Sequence, residues 1–190
     1  MKIGLYFGSF NPVHNGHLII AKHLADEFDL NAVWLVVSPH NPEKNTSTLL
    51  NERHRYHLVQ LATEGEDRIK ANNIEFSLPK PSYTSETLVY LKEKYPSHEF
   101  SIIIGSDSYN NLPRWKNAQY IMSGFRFFVY TRPGHPCVPN PNVLETVLVD
   151  APLLDISSSY IRKKIKNKKS VRYLVPDSVY EEIVAQQYYQ

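Results

Sequence analysis

An α/β fold with a doubly wound parallel sheet of about five to six strands is what this sequence predicts, on three observations. Short apolar runs rich in β-branched and aromatic residues fall at 3–7, 32–38, 100–105, 125–131 and 143–149, and helical patterns at 16–28, 51–63, 84–95 and 115–122 separate them. This alternation is that of βαβ units around a parallel sheet. Runs such as Ser101-Ile102-Ile103-Ile104 are apolar on both faces and need cover on both. The 190 residues contain no repeat, low-complexity tract or long linker, so one domain over 1–190 is expected, with a small helical part at about 157–190.

The first strand runs into Gly8-Ser9-Phe10-Asn11-Pro12-Val13-His14-Asn15-Gly16-His17, a turn punctuated by glycine and proline. A helix begins near Gly16, because Leu18, Ile19, Leu24, Ala25 and Phe28 recur at helical spacing. Unpaired N–H groups at such a start attract anions. His14 and His17, three residues apart, face the same way as two donors toward one polyanion. A turn with two exposed histidines is the competing reading.

The second strand leads into a loop at 38–44 restricted by Pro39 and Pro42 and carrying His40 and Lys44. At Pro81-Ser82-Tyr83-Thr84-Ser85-Glu86-Thr87, the pattern predicts an N-cap at Thr84 and free N–H groups for a small anion. The strand at 100–105 closes on Gly105-Ser106-Asp107, and Leu112-Pro113-Arg114-Trp115 follows. Trp115 is either a plate for stacking an aromatic ring or a tryptophan of the core or its rim. After the strand at 125–131 come Arg132-Pro133-Gly134. All these turns lie beyond strand C-termini, where ligands bind in such sheets. Toward the C-terminus, Ser157, Ser158 and Ser159 open a helix on which Arg162 lies one turn after Ser158, offering hydroxyls and a cation to phosphate. The lysines at 163–169 read as a solvated helix face.

Lys and Arg total 21 against 19 acidic residues, so no global field argues for nucleic acid or a membrane surface, and any anion is bound locally. The lone Cys137 excludes an intramolecular disulfide framework and offers no metal cluster, and no dedicated protein metal site is expected. Apolar runs are too short to span a membrane, and Met1-Lys2 leads straight into a strand, so a cytoplasmic location is expected.

The segment from Gly8 to His17 resembles the H-x-G-H motif of the nucleotidyltransferase superfamily, and Ile156-Ser157-Ser158-Ser159 with Arg162 resembles its I-S-S-T-x-x-R signature, Ser159 replacing threonine. The segment Pro81 to Thr87, Gly105-Ser106-Asp107, Trp115, Arg132-Pro133-Gly134 and Tyr173-Leu174-Val175-Pro176 look like those of bacterial nicotinate-mononucleotide adenylyltransferases, a resemblance spanning residues 2–186. It implies a Rossmann-like fold and the reaction of ATP with nicotinate mononucleotide to give deamido-NAD and pyrophosphate, with Mg²⁺ arriving on ATP. It also implies that His14 and His17 hold the triphosphate, helped by the Gly8 and Gly16 turn and the Ser9 and Phe10 backbone. Ser157, Ser158 and Arg162 would grip the β- and γ-phosphates. Thr84, Trp115 and Asp107 would take the mononucleotide, and Gly105 and Arg132 would lie beside a nucleotide. Lys44 matches the basic end of the family's P-P-H-K loop, while Glu43 departs from it. Activity on the amide mononucleotide or phosphopantetheine, a nucleotide-binding module without catalysis, and homo-oligomerisation all stay open.

Overall fold

The computed structural model describes residues 1–40, 48–152 and 154–190. Six strands form one sheet: β1 (Lys2–Gly8), β2 (Ala32–Val37), β3 (Ile69–Asn72), β4 (Glu99–Gly105), β5 (Arg126–Tyr130) and β6 (Glu145–Val149). Their order is β3-β2-β1-β4-β5-β6, and every pairing is parallel. The order reverses between β1 and β4, which is the switch point where a crevice forms.

Side chains alternate across the sheet, so each central strand feeds two cores. Tyr6 and Ile103 belong to one, and Leu5, Ile102 and Ile104 to the other. The first core is covered by α1 (Asn15–Glu27), α2 (Glu52–Ala62) and the C-terminal helices α6 (Ser158–Lys166) and α7 (Asp177–Ala185). The second is covered by α3 (Thr84–Lys94), α4 (Ser106–Asn110) and α5 (Ala118–Gly124). Burial on both faces explains why β4 tolerates three consecutive isoleucines.

One predicted element moves, and one strand was not predicted. The pattern at 115–122 is a 3-10 turn at Leu112–Arg114 followed by α5, because Asn117 adopts a left-handed φ of 55° and starts the helix after itself. Strand β3 was absent from the apolar runs and pairs along β2 at the sheet edge. The C-terminal part is tied to the first turn, Asn15 donating from its backbone N to Leu174 O at 3.0 Å and from Nδ2 to Tyr173 O at 2.8 Å. Ser178 Oγ likewise donates to Leu61 O at the end of α2, at 3.1 Å.

Candidate active site

A cavity of about 860 Å³ opens beyond the C-terminal ends of the central strands. The turn after β1 forms one part of it. Phe10 takes a left-handed φ of 44°, and its ring lies against Gly8, where a Cβ would stand 2.9 Å from Phe10 Cζ. Only glycine leaves that ring its place. His14 caps α1 with an extended backbone, and its N–H donates to His17 Nδ1 at 3.3 Å. That bond leaves the ring proton of a neutral His17 on Nε2. The two imidazoles stack with centroids 3.7 Å apart, and the edges of Tyr6 and Phe10 meet His17 at 5.9 and 5.0 Å.

His14 is 5% exposed, and its Nδ1 has no hydrogen-bond partner among the described residues. Burial, assisted by the nearby Arg132 cation, lowers its pKa from 6.5 to about 4. At neutral pH it is therefore an uncharged imidazole, and fixed positive charge comes from the arginines. Gly16 is buried beneath His14, 3.1 Å separating a built Cβ from its Nδ1, and it does not line the cavity.

The start of α6 abuts the same turn. Ser157 caps the helix by accepting from Tyr160 N at 3.2 Å, Ser158 Oγ donates to Pro12 O at 2.9 Å, and Arg162 Nη1 donates to Asn11 O at 2.8 Å. The last two bonds connect residues about 150 positions apart, and Ser157, Ser158 and Arg162 stand on the cavity wall with His14 and His17.

At the end of β4, Gly105 lines the cavity beside Asp107, whose Oδ1 lies 3.8 Å from Arg132 Nε. A Cβ on Gly105 would sit 2.6 Å from that oxygen and 3.1 Å from that nitrogen. The pair thus needs glycine here. Tyr130 accepts through its hydroxyl from Tyr6 Oη at 3.0 Å and from Arg132 Nη2 at 3.4 Å. Thr84 and Trp115 complete the lining, with Trp115 half-buried and its Nε1 unpartnered among the described residues. The cap of α3 is Tyr83, one residue earlier than the pattern predicts, and no side chain caps that helix.

The cavity therefore gathers Gly8, Ser9, Phe10, His14, His17, Thr84, Gly105, Asp107, Trp115, Arg132, Ser157, Ser158 and Arg162. Lys44 lies outside the described residues. Sequence reading missed Tyr6, Tyr130, Glu75 and Arg55. Arg55 is fully buried behind the first turn, its guanidinium donating to Ser9 O and to Ser38 O, Pro39 O and Leu50 O at 2.8, 2.9 and 2.8 Å. The signal for it was present, since Arg55 shares a helix face with the buried Leu58 and Val59. Among the described residues, the acidic side chains on the cavity wall are Asp107, engaged with Arg132, and the buried Glu75. Among the described residues, no group of three or more His, Cys, Asp or Glu could hold a metal, and no helix is long and apolar enough to cross a membrane.

Residues 5–164 match the family described as cytidylyltransferase-like. The chain is 48% identical over 191 residues to a protein of Flavobacterium psychrophilum named "Probable nicotinate-nucleotide adenylyltransferase", covering 100% of this chain and 99% of that one. A protein of the same name from Cytophaga hutchinsonii is 48% identical over 189 residues, covering 100% and 98%. Among solved structures, nicotinic acid mononucleotide adenylyltransferase of Plasmodium falciparum complexed with NaAD superposes with a TM-score of 0.83, covering 99% of this chain and 97% of that one. At 20% identity this bears on the fold, which is the same Rossmann-like sheet. With identity near one half across its whole length and both signature turns on one cavity, the chain belongs to the nicotinate-nucleotide adenylyltransferase family and is a nucleotidyltransferase.

Proposed function

We propose that the enzyme transfers the adenylyl group of ATP to nicotinate mononucleotide, giving deamido-NAD and pyrophosphate. The observation that carries this reading is the single cavity joining the His14–His17 turn, the Ser157–Arg162 helix start and the Thr84–Trp115 end. It has room for two nucleotides meeting at their phosphates. The names of the relatives point the same way.

In this reaction a phosphate oxygen of the mononucleotide forms a bond to the α-phosphorus of ATP while the bond to the β-bridging oxygen breaks and pyrophosphate departs. The nucleophile belongs to the substrate, so the protein has to align and to stabilise charge. His17 is assigned to the α-phosphate and His14, uncharged, to a hydrogen bond on the triphosphate. Ser9 and Phe10 contribute backbone N–H groups, and the Ser157 and Ser158 hydroxyls with Arg162 hold the β- and γ-phosphates. Mg²⁺ arriving with ATP as part of the substrate would neutralise phosphate charge. Trp115 stacks on the pyridine ring, the backbone around Thr84 receives the ring carboxylate, and Asp107 takes a ribose hydroxyl. Arg132 lies beside adenine or a phosphate.

The test is pyrophosphate release with ATP and Mg²⁺ against nicotinate mononucleotide, its amide and phosphopantetheine. Release with the acid mononucleotide is expected to be fastest. Preference for phosphopantetheine would reassign the substrate, and no release with any acceptor would favour a binding module.

A further inference from the structure

Tyr6 lines the cavity at its centre, and the reaction described above makes no use of it. The residue is 3% exposed, and its ring meets those of Phe10, His17 and Tyr130 edge to face, each pair with centroids 5.9 Å apart. Tyr6 stands on β1 and Tyr130 on β5, with β4 between them. Tyr6 pairs with Ile103 and Tyr130 with Gly105, and both tyrosines and Ile103 belong to the first core. The two rings therefore meet across the end of β4, where Gly105 carries no side chain to separate them.

Their hydroxyls lead on to Arg132. Tyr6 Oη donates to Tyr130 Oη at 3.0 Å, and Tyr130 Oη accepts from Arg132 Nη2 at 3.4 Å, with the guanidinium carbon 5.5 Å from the Tyr130 ring centroid. The main chain of Arg132 is fixed separately, its N–H donating to Ser106 Oγ at 2.8 Å and its carbonyl accepting from His135 N at 3.0 Å. Asp107 Oδ1, at 3.8 Å from Nε, is an ionic neighbour beyond hydrogen-bond length. With the stem anchored, the direction of the guanidinium is set by the Tyr130 hydroxyl and ring. Its cation is close enough to His14 to help lower the pKa of that imidazole, which puts it on the side of the first turn.

We propose that Tyr6 and Tyr130 are positioning residues for adenylyl transfer: the Tyr6 ring braces His17, and the Tyr6–Tyr130 hydroxyl pair aims Arg132 at the same ATP. A ring packed against three others has little room to shift, and a connected hydroxyl chain holds its last member in one orientation. One buried side chain thus sets the spacing between a donor near the start of α1 and a cation after β5. The inference rests on reading the His14–His17 end as the ATP site.

The experiment measures kcat and the KM for each substrate by pyrophosphate release, with ATP, Mg²⁺ and nicotinate mononucleotide. Tyr130→Phe keeps the ring and removes the acceptor, so the KM for ATP should rise about three- to tenfold while kcat and the KM for the mononucleotide stay within about twofold. Tyr6→Phe should do the same to a smaller degree, and the double variant should be no worse than Tyr130→Phe alone, because both act through one chain. In an Arg132→Ala background, Tyr130→Phe should change the KM for ATP by less than about 1.5-fold. Tyr6→Leu, which takes the brace from His17, should lower kcat about fivefold or more in addition. An unchanged KM for ATP in Tyr130→Phe, an equal rise for both substrates, a rise confined to the mononucleotide, or the same rise without Arg132 overturns the proposal. If Tyr6→Leu does not fold, a kcat in Tyr6→Phe reduced by more than about twofold overturns the division between ring and hydroxyl. Wild-type protein that releases no pyrophosphate overturns the underlying substrate reading, an outcome distinct from an active wild type with indifferent variants.

Discussion

Replacing Arg55 by methionine separates the framework of the site from its chemistry. The guanidinium has no exposed surface, does not line the cavity and donates to four backbone carbonyls from three segments: Ser9, the Ser38–Pro39 strand end and Leu50. Burial lowers its pKa from an ordinary value so high that it stays a cation. Methionine fills much of the space and leaves all four carbonyls without their donor. At about 1 kcal/mol or more for each orphaned acceptor, and with relief from no longer burying a charge, the net loss is roughly 3–5 kcal/mol. In a chain of this size that lowers Tm by about 6–20 °C. Thermal and urea unfolding followed by circular dichroism measure the loss. Because Ser9 O is one of the four acceptors, the KM for ATP should rise as well. Arg55→Lys, with its charge kept but its planar fork lost, should fall between. An Arg55→Met protein within about 1 kcal/mol of wild type would refute the claim that this cation holds the loops together.

Other perturbations probe the site piece by piece. His17→Ala should lower kcat by roughly ten- to a thousandfold, the loss of about 1.4–4 kcal/mol expected for a transition-state donor; turnover within twofold of wild type would remove it from that role. The His14 ring should titrate near pH 4 by NMR. Since the unfolded chain takes up that proton nearer 6.5, the contribution to stability is complete above that pH and is lost as pH falls toward 4, roughly 3 kcal/mol in all; a ring titrating at 6.5 would contradict its burial. Gly105→Ala should force Asp107 and Arg132 apart and raise a nucleotide KM by about three- to tenfold, while unchanged values would show the pair to be dispensable. Trp115→Ala should raise the KM for the mononucleotide by about tenfold and leave that for ATP nearly unchanged; equal effects on both would count against stacking.

The apolar runs of β1, β4 and β5 were legible because strands covered on both faces have no polar alternation to obscure them. Strand β3 was not, since Ile69–Asn72 is four residues long at the sheet edge, and Lys70 and Asn72 make it look like a turn. The helix expected at 115–122 slid because Pro113 suits a 3-10 turn and Asn117 accepts a left-handed backbone. Most residues of the site that could be named stand in turns directly after strands or at helix starts; Trp115, after the 3-10 turn, and Arg162, one turn into α6, are the exceptions. Tyr6, Tyr130 and Glu75 sit inside elements, where an aromatic ring or a glutamate reads as packing or surface until its neighbours are known. Tyr6 and Tyr130 meet at 3.0 Å from positions 124 residues apart, a contact that no local pattern encodes.

The proposed reaction brings the α-phosphate of ATP to the phosphate of nicotinate mononucleotide within one cavity. Following the label from ATP radiolabelled at the α-phosphate tests this most directly. The label should pass into a dinucleotide with the mass of deamido-NAD, with one pyrophosphate released per label transferred. Label recovered as free AMP, or left in ATP while the enzyme is folded and both substrates and Mg²⁺ are present, would contradict it.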